Sequence, residues 1–522
     1  MNRRDAVWLG LITGATAAGV TLFRADPVAG AGSASADNVL ARIRRFTEPL
    51  VVPPPLTPVR RSETVDFYQI TQQRALKEFV PGLLTEVWGY NGLVPGPTIL
   101  AERDRQIVVR QINALPPVHP TRGYVPATST HLHGAPSLPP YDGYANDLTQ
   151  PGQYKDYVYN NDETSRTLWY HDHAVMHTSE NVYMGLAGLY LVHDPVEDVL
   201  PLPQGRYDVP LVIRDVILGA DGSLVFDDHG QDFLAGDIIL VNGVAWPVMR
   251  VERRKYRFRI LNASLSRGYR LALSTGDPFT FVGTDSGLMP RPQQGQTLPI
   301  GNAERYEVVI DFANYRIGQR VVLRNLGIPS SPDFEFTNEI MAFDVVSEPT
   351  DLTNNTVPAI LAPEDPLLRT PPPAAVRTRR LEFERQHGHW VINGLTWADV
   401  EASGFRAVLA NPKRGDIEIW ELLNKAGGWF HPIHIHLVDF RILDRNGRPP
   451  EPHERGLKDT AFLGQNELVR LLIRFAPNEG KYMLHCHNVV HEDHDMMHQF
   501  RVGAGGLDPL SIPAKPLPAP PL

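Results

Sequence analysis

Residues 485–491 read His-Cys-His-Asn-Val-Val-His, and this short stretch is the most informative part of the chain. Cys486 is the only cysteine, so no intramolecular disulfide can form. An isolated cysteine is most often buried and inert, but here a histidine stands on each side. On a β-strand alternate residues share a face, so His485 and His487 point one way and Cys486 points the other. The stretch therefore predicts a strand that serves two metal centres.

Three further segments repeat this clustering of histidine. They are His131-Leu132-His133, His171-Asp172-His173 and His431-Pro432-Ile433-His434-Ile435-His436. Together with 485–491 they hold ten of the 19 histidines in only 19 of the 522 positions. Each His-x-His pair presents two imidazoles on one face of a strand, so four pairs supply eight. One zinc ion takes about four ligands, and eight facing imidazoles therefore indicate several metal ions. Imidazole together with thiolate suits copper or zinc.

The opposite face of the 485–487 strand leaves Cys486 in need of partners. His491 follows five residues later, Met496 follows five beyond that, and His431 lies outside the His-x-His pair of its own segment. Two histidines, one cysteine and a weak axial methionine make up a blue-copper electron-transfer site. We therefore expect the thiolate to accept an electron from outside and pass it through covalent bonds to the flanking histidines.

The rest of the chain favours an all-β fold of several domains. Its 42 glycines and 47 prolines make it rich in turns. Short alternating runs, such as 256–261 and 468–473, are typical of strands. The length of 522 residues is enough for about three domains of roughly 150 residues each. The predicted divisions are an export signal over 1–36, domains over 37–195, 196–350 and 376–505, a proline-rich linker over 351–375, and a proline-rich tail over 506–522 that is disordered or draped on the surface.

The charge and the N-terminus bear on location and partners. The net charge of −9 argues against nucleic acid or an anionic membrane as the main partner. Asn2-Arg3-Arg4 is a positive start, residues 6–23 are mostly apolar or small, and Ala34-Ser35-Ala36 offers a cleavage site. These features predict export to the periplasm or the medium, by the twin-arginine or the ordinary secretory route. A membrane anchor is the alternative for the first segment, and no later segment is apolar enough to span a bilayer.

In this order and spacing, the four histidine motifs resemble those of the multicopper oxidases. Four stretches resemble the branch that contains bacterial spore-coat laccase, bilirubin oxidase and phenoxazinone synthase. These are the first-domain opening over 91–99 (NGLVPGPTI), the second-domain stretches over 241–247 (VNGVAWP) and 259–264 (RILNAS), and the run over 491–497 (HEDHDMM). The resemblance extends over nearly the whole chain that follows the signal.

This resemblance implies a fold and a set of ligands. The fold would be three consecutive cupredoxin-like domains, which are Greek-key β-sandwiches, with the second domain acting as a spacer without ligands. Four copper ions would be bound between and within the first and third domains. The ligands carried over are His431, Cys486, His491 and Met496 for type 1 copper, His131 and His434 for type 2, and His133, His171, His173, His436, His485 and His487 for the type 3 pair.

Reduction of O2 to water consumes four protons, so acids are expected near the cluster. Asp142, after the first motif, and Glu492, after the last, match positions that the family uses in this way. The alternative for Asp142 is a turn residue before Gly143, and for Glu492 a group that orients a ligand. Trp429 either lines the donor site or packs in the core.

The resemblance implies an oxidase that takes four single electrons from small donors and reduces O2 to two waters. Phenols, aromatic amines or tetrapyrroles are the expected donors, and we expect a monomer. A metal oxidase acting on Cu(I) or Fe(II) is the nearest rival. It is weakened because the chain has nine methionines and only Met496 and Met497 are adjacent, whereas a cuprous oxidase would carry a loop of soft ligands. A copper-binding protein without activity is the other rival, and the complete ligand set argues against it.

Overall fold

The computed structural model describes residues 35–522 except Gln231. It consists of three β-sandwiches in chain order, each made of two packed sheets, with short helices between strands. The predicted all-β fold class is therefore confirmed. Each sandwich has its own buried apolar centre, since alternate residues of its strands face inward between the two sheets.

The first sandwich pairs a six-stranded sheet with a four-stranded one. Its helices are α1 Asp37–Leu40, which precedes the strands, the 3₁₀ turn Pro139–Tyr141 and α2 Thr178–Met184. Its strands are β1 Arg60–Arg61, β2 Val65–Val80, β3 Leu83–Tyr90, β4 Gly96–Glu102, β5 Gln106–Asn113, β6 Thr130–His133, β7 Gln153–Tyr159, β8 Arg166–Asp172 and β9 Ala187–His193. The four-stranded sheet has the order β4-β9-β8-β6, which places two histidine segments on adjacent strands.

The second sandwich pairs a seven-stranded sheet with a five-stranded one. It follows α3 Pro195–Asp198 and contains the 3₁₀ turns Gly205–Tyr207 and Phe312–Asn314. Its strands are β10 Asp208–Val216, β11 Ile238–Val241, β12 Val244–Ala245, β13 Val248–Glu252, β14 Lys255–Asn262, β15 Tyr269–Leu273, β16 Phe279–Thr284, β17 Gly287–Gly295, β18 Leu298–Ile300, β19 Arg305–Asp311, β20 Arg320–Asn325 and β21 Glu339–Ser347.

The third sandwich pairs a five-stranded sheet with a four-stranded one of order β27-β25-β29-β30. Its helices are α4 Pro366–Arg369, the 3₁₀ turn Pro372–Ala374, α5 Trp397–Ala402, the 3₁₀ turn Pro452–Glu454 and α6 Val489–Asp493. Its strands are β22 Arg377–Gln386, β23 His389–Ile392, β24 Ile417–Asn424, β25 His431–Ile435, β26 Phe440–Arg445, β27 Thr460–Leu463, β28 Leu468–Arg474, β29 Gly480–Cys486 and β30 Met497–Val502.

The two ends of the chain also contact the sandwiches. The proline-rich tail returns to the first one, where β31 Lys515–Pro516 pairs with β7 and the Arg60 guanidinium donates to the carbonyl of Leu522. Most of the predicted export signal, residues 1–34, lies outside the described residues. Ser35, within the predicted cleavage site, is buried, and its hydroxyl donates to the carboxylate of Asp237 at 2.6 Å. Across the described residues, no helix has the length and apolar character that crossing a membrane requires.

Candidate metal centres

The four histidine segments lie on two pairs of neighbouring strands. In the first sandwich β6 runs antiparallel to β8, which puts His131 opposite His171. In the third, β25 runs antiparallel to β29, which puts His434 opposite His485. Because alternate residues of a strand share a face, each pair of strands presents several imidazoles to the same side. The two sheets therefore bring buried imidazoles together between the first and third sandwiches.

Eight of these imidazoles form one contiguous buried group. Its members are the paired histidines of the four His-x-His motifs: His131, His133, His171, His173, His434, His436, His485 and His487. The Nε2 atom of His485 lies 3.2 Å from the Nε2 atoms of both His173 and His436. The donor atoms of these three side chains are mutually close enough to hold one metal ion.

The other five imidazoles stand beside this triad. The ring centroid of His487 lies 5.0 Å from that of His133 and 5.1 Å from that of His171, and the centroids of His133 and His171 are 5.8 Å apart. The rings of His131 and His434 are 5.6 Å apart. The structure thus brings together all eight histidines predicted for type 2 and type 3 copper. Several overlapping triplets within the group satisfy the distances for a metal ion, so the imidazoles are crowded around a shared volume.

The nitrogens that face this volume test whether metal ions fit it. Buried ring nitrogens without a hydrogen-bond partner in the described part of the chain include Nε2 of His131, His171, His434 and His487 and Nδ1 of His133. In four of these rings the opposite nitrogen is bound to an oxygen. That contact fixes the tautomer and turns a lone pair towards the group. Burial lowers the pKa of His434 and His485 to about 3, which keeps them in the neutral form that binds metals.

Asp142 contacts two of the imidazoles. Its main-chain carbonyl accepts from Nδ1 of His131 at 2.5 Å, and its Oδ2 atom lies 2.8 Å from Nδ1 of His436. It also ends the turn Pro139–Tyr141, and Gly143 has a φ of +75° with no room for a Cβ atom against His131. Both predicted roles of Asp142 therefore have a structural basis, in the turn and at the cluster. Burial raises the pKa of the Asp142 carboxyl well above its ordinary value.

Glu492 lies on the opposite side of the group. Its Oε2 atom is 2.8 Å from Nδ1 of His485, and its Oε1 atom is 3.5 Å from Nε2 of His173. Helix α6 carries Glu492 and is capped at its N-terminus by Asn488, whose side chain accepts from the amide of Val490. Burial raises the pKa of Glu492 to about 7. This carboxyl therefore changes protonation near neutral pH, beside the imidazoles of two sandwiches.

Cys486 belongs to a second, separate group. Its Sγ atom lies 3.3 Å from Nδ1 of His431 and 3.8 Å from Nδ1 of His491, and those two nitrogens are 3.2 Å apart. The main-chain carbonyl of Met496 accepts from the amide of Cys486 at 3.0 Å, and both side chains are fully buried in the same apolar cluster. Burial raises the pKa of the Cys486 thiol, so ionisation to a thiolate needs a cation in this group.

The surroundings of His491 include residues that the sequence did not single out. Trp390 packs on the His491 ring with centroids 4.0 Å apart, while Trp429 meets it edge-on at 5.3 Å. On the outer side, Nε2 of His491 lies 2.7 Å from the carbonyl oxygen of Asp232, which belongs to the second sandwich. Phe233 then contacts Trp429. A loop of the second sandwich thus covers the outer edge of the Cys486 group.

Asp459 is a second contact that sequence reasoning missed. Its Oδ1 atom lies 3.1 Å from Nε2 of His133, and its carbonyl oxygen lies 2.8 Å from Nδ1 of His434. Nothing in the local sequence distinguishes Lys458-Asp459-Thr460 from an exposed polar stretch, although all three residues are buried. Their importance follows only from the folded arrangement of three sandwiches.

A cavity of about 600 Å³ opens beside the eight-histidine group, where the sandwiches meet. Gly134 and Leu437 line it, and each directly follows a predicted ligand. Asp439 is also in its wall, held by the guanidinium of Arg166 at 3.0 Å. Residues of all three sandwiches line the cavity, with Ser286 contributed by the second.

Two segments of the chain match family models. Residues 73–197 and residues 369–506 each match a model described as "Multicopper oxidase". They contain all four histidine motifs. The stretch between the two matches corresponds to most of the second sandwich, in which no metal ligand was predicted.

Characterised proteins are similar over most of the chain. A bilirubin oxidase of Albifimbria verrucaria is 41% identical over 479 residues, covering 87% of this chain and 81% of that protein. A laccase of Bacillus subtilis is 35% identical over 511 residues, covering 87% and 98%. Among solved structures, the McoA multicopper oxidase of Aquifex aeolicus superimposes with a TM-score of 0.78 at 29% identity, covering 88% and 99%. Such proteins have cupredoxin-like β-sandwich domains, and the predicted cupredoxin-like fold is thereby confirmed.

Proposed function

This chain belongs to the multicopper oxidase family, and we propose that it couples four one-electron oxidations of a small donor to the reduction of O2 to two waters. One observation carries the proposal. At the end of β29, Cys486 lies in one buried group while its neighbours His485 and His487 lie in another. Two metal centres on one strand are what an enzyme needs to accept single electrons at one place and use them at another.

We propose that four copper ions are held by twelve side chains. The buried lone pairs, the neutral imidazoles and the thiol with two adjacent histidines all suit copper. His431, Cys486, His491 and Met496 would hold one ion of type 1, His131 and His434 one of type 2, and His133, His171, His173, His436, His485 and His487 a type 3 pair. When bound, these ions would supply the one-electron redox chemistry and the binding site for O2.

The protein's own contribution to electron transfer is a short covalent path. Nδ1 of His491 and Sγ of Cys486 lie 3.8 Å apart, and an ion held by these side chains would supply the redox centre at which an electron enters. From there the main chain of residues 485–487 leads directly to the eight-histidine group. Trp390 and Trp429 pack on His491 and exclude water from it, so the rings around the sulfur keep a fixed geometry.

The reaction consumes four electrons and four protons for each O2, and we propose that Asp142 and Glu492 carry the protons. Each carboxyl is buried and contacts an imidazole of the cluster. A carboxyl with a pKa near 7, as burial gives Glu492, can take and give protons at neutral pH without a large energetic cost. Both acids would also orient the imidazoles they contact.

For the donor we propose phenols, aromatic amines or tetrapyrroles. The similarity to proteins named bilirubin oxidase and laccase supports this class. The charges near His491 support it as well, because acidic side chains there are already paired: Asp228 with His494, and Asp232 with Arg385. A docking site for Fe(II) or Cu(I) would need carboxylates or soft ligands available to the cation.

The location and the assembly state are part of the same proposal. We propose that the chain is exported and works as a monomer, with residues 1–36 as the signal. N-terminal sequencing of the exported protein and light scattering would test both points. A mature protein that still begins at Met1, or a stable oligomer, would contradict them.

The decisive experiment is a donor panel under O2. Copper-loaded protein would be given a phenol, an aromatic amine, bilirubin, Fe(II) and Cu(I), with kcat/KM measured by O2 consumption and Cys486→Ser as the matched control. We expect turnover that requires Cys486 and is highest with an organic donor. Higher kcat/KM for Fe(II) or Cu(I) would overturn the donor class, and no O2 consumption with any donor would overturn the function.

A further inference from the structure

The second sandwich supplies none of the predicted ligands, yet it reaches the eight-histidine group through Arg305. This side chain is fully buried at the start of β19. Its guanidinium binds both carboxylate oxygens of Asp459 in the third sandwich, at 2.8 and 2.5 Å. Its Nε atom donates to the carbonyl of Thr167 in the first sandwich at 2.9 Å. One arginine thus contacts all three sandwiches at once.

Asp459 transmits this contact to two predicted ligands. Its Oδ1 atom lies 3.1 Å from Nε2 of His133, and its carbonyl oxygen lies 2.8 Å from Nδ1 of His434. The hydroxyl of Thr460 lies 3.1 Å from the same His133 nitrogen and donates to Asp459 at 2.9 Å. His133 belongs to the first sandwich and His434 to the third. Asp459 therefore fixes the ring orientation of imidazoles from both, leaving Nδ1 of His133 and Nε2 of His434 directed into the group.

A second acidic residue, Asp285 of the second sandwich, completes the arrangement. Asp285 accepts from the amide of Arg305 at 2.7 Å and from the amide of Thr460 at 3.2 Å. The Lys458 ammonium lies 2.9 Å from the carboxylate of Asp285 and donates to Tyr306. All these side chains are buried. A buried network in which every charge has a partner is rigid, and the loss of one member disturbs the others.

The chain also leaves space for this arrangement immediately after a ligand. Gly134 follows His133 with a φ of +90°, and a Cβ atom placed there would lie 2.6 Å from Nη2 of Arg305 and 2.6 Å from Oδ2 of Asp459. Only glycine allows the guanidinium and the carboxylate to approach the backbone this closely. The ion pair of Arg305 and Asp459 therefore both packs against the backbone of Gly134 and contacts the ring of His133.

We propose that Arg305 is a positioning residue through which the second sandwich orients the imidazoles of His133 and His434, by way of Asp459, and so sets how well the eight-histidine group holds its metal ions. The proposal rests on the proposed function in that these histidines are taken as copper ligands. On this proposal the second sandwich helps to build the eight-histidine group, in addition to separating the first and third sandwiches. The Cys486 group has no contact with Arg305 or Asp459 and is expected to be unaffected.

Arg305→Lys tests the proposal most directly, because lysine keeps the charge but cannot bind two carboxylate oxygens and Thr167 together. Arg257→Lys is the matched control. Arg257 is equally buried in the second sandwich and pairs with Glu307, but it touches no predicted ligand. Each copper-free protein would first be checked by circular dichroism and then loaded with copper. The readouts are copper per chain, the blue absorption, and the electron paramagnetic resonance signal of type 2 copper.

We expect Arg305→Lys to lose at least one copper per chain and to show a changed type 2 signal, while the blue absorption and the control stay as in the wild type. Full copper content with an unchanged type 2 signal, or an equal loss of the blue absorption, would overturn the proposal. If Arg305→Lys does not fold, Thr460→Val decides the matter, because it removes the hydroxyl that contacts His133 and donates to Asp459, and it should weaken copper retention during dialysis at least several-fold. Unchanged retention in Thr460→Val would overturn it. Failure of the proposed function would appear elsewhere, as a wild-type protein that holds its copper but consumes no O2.

Discussion

The Nε2 atoms of His173 and His485 lie 3.2 Å apart although 312 positions separate the two residues in the chain. Each belongs to a different sandwich, and their rings meet almost at right angles. Two neutral imidazoles whose ring nitrogens approach this closely either share an N–H···N hydrogen bond or both direct a lone pair at a cation held between them. Burial lowers the pKa of His173 to about 4, which disfavours the protonated form. His436 stands 3.2 Å from the same His485 nitrogen, and the three rings are close enough together to hold one metal ion, which is the ion that we propose the first and third sandwiches share.

The Cys486 group yields the first prediction. Replacing Cys486 with Ser should abolish the intense blue absorption of the copper-loaded protein, because a thiolate between two imidazoles produces the blue-copper site. Absorption spectra and copper content would be compared with those of the wild type. A variant that is loaded with copper and still blue would contradict the assignment of Cys486.

Met496 provides a graded test of the same group. Met496→Leu should raise the reduction potential of the type 1 centre, since the weak axial ligand tunes that potential. Leucine has nearly the volume of methionine, so the cost in stability should stay below about 1.5 kcal/mol. Met497→Leu is the control, because Met497 is also buried but packs in a different apolar cluster. Redox titration that finds the same potential in both variants would exclude Met496 as the axial ligand.

Asp142 separates proton delivery from electron entry. Asp142→Asn keeps the size of the side chain and a contact to His436 but removes an acid that can carry a proton. We expect O2 reduction to slow by about a hundredfold or more, in the range of general acid–base effects. Anaerobic bleaching of the blue absorption by the donor should be unchanged. Turnover equal to that of the wild type would leave Asp142 with its role in the turn alone.

The stability of the copper-free protein should depend on pH. Burial lowers the pKa of His431, His434 and His485 to about 3, from an ordinary value of 6.5. Between these values the unfolded chain binds protons that the native chain does not, so the free energy of unfolding falls with falling pH. Each of the three contributes about 1.4 kcal/mol per pH unit. Burial raises the pKa of four carboxyls to about 7, which acts in the opposite sense between pH 7 and about 4.5; they are Glu163, Asp172, Glu492 and Asp493.

Burial also lowers the pKa of six further imidazoles, so that the imidazoles outnumber these four carboxyls and we expect a net destabilisation in acid; the six are His131, His133, His171, His436, His487 and His491. Urea titrations of the copper-free protein at pH 7 and pH 5 would measure it. We expect a lower midpoint at pH 5 with an unchanged slope. A midpoint that is equal or higher at pH 5 would contradict the expected dominance of the neutral imidazoles over the buried carboxyls.

Much of the site follows from local rules, and some of it does not. The alternation of His485, Cys486 and His487 on one strand predicts two centres, because strand geometry alone decides which way each side chain points. The roles of Arg305 and Asp459 could not be predicted, since their contacts join three sandwiches and have no local sequence pattern. The same is true of Asp232, whose carbonyl reaches His491 from a loop of another sandwich.

The fold, like the site, follows partly from local sequence features and partly from contacts between distant parts of the chain. Turn-rich composition and short alternating runs are local features, and the three sandwiches agree with them. For the proline-rich tail the sequence leaves two alternatives open, disorder or attachment to the protein surface. Strand β31 forms because β7 offers an edge to pair with, and Arg110 binds the tail further on. Such pairing depends on an edge more than 350 residues earlier in the chain, which the composition of the tail does not reveal.

The stoichiometry of donor to O2 tests the central claim most directly, that this chain collects single electrons at one centre and reduces O2 completely at another. Copper-loaded protein would be mixed with a measured amount of a one-electron donor in an oxygen-electrode cell, with hydrogen peroxide assayed at the end. The account predicts four donor molecules oxidised for each O2 consumed and no peroxide. Two donors for each O2, with peroxide accumulating in equal amount, would contradict it.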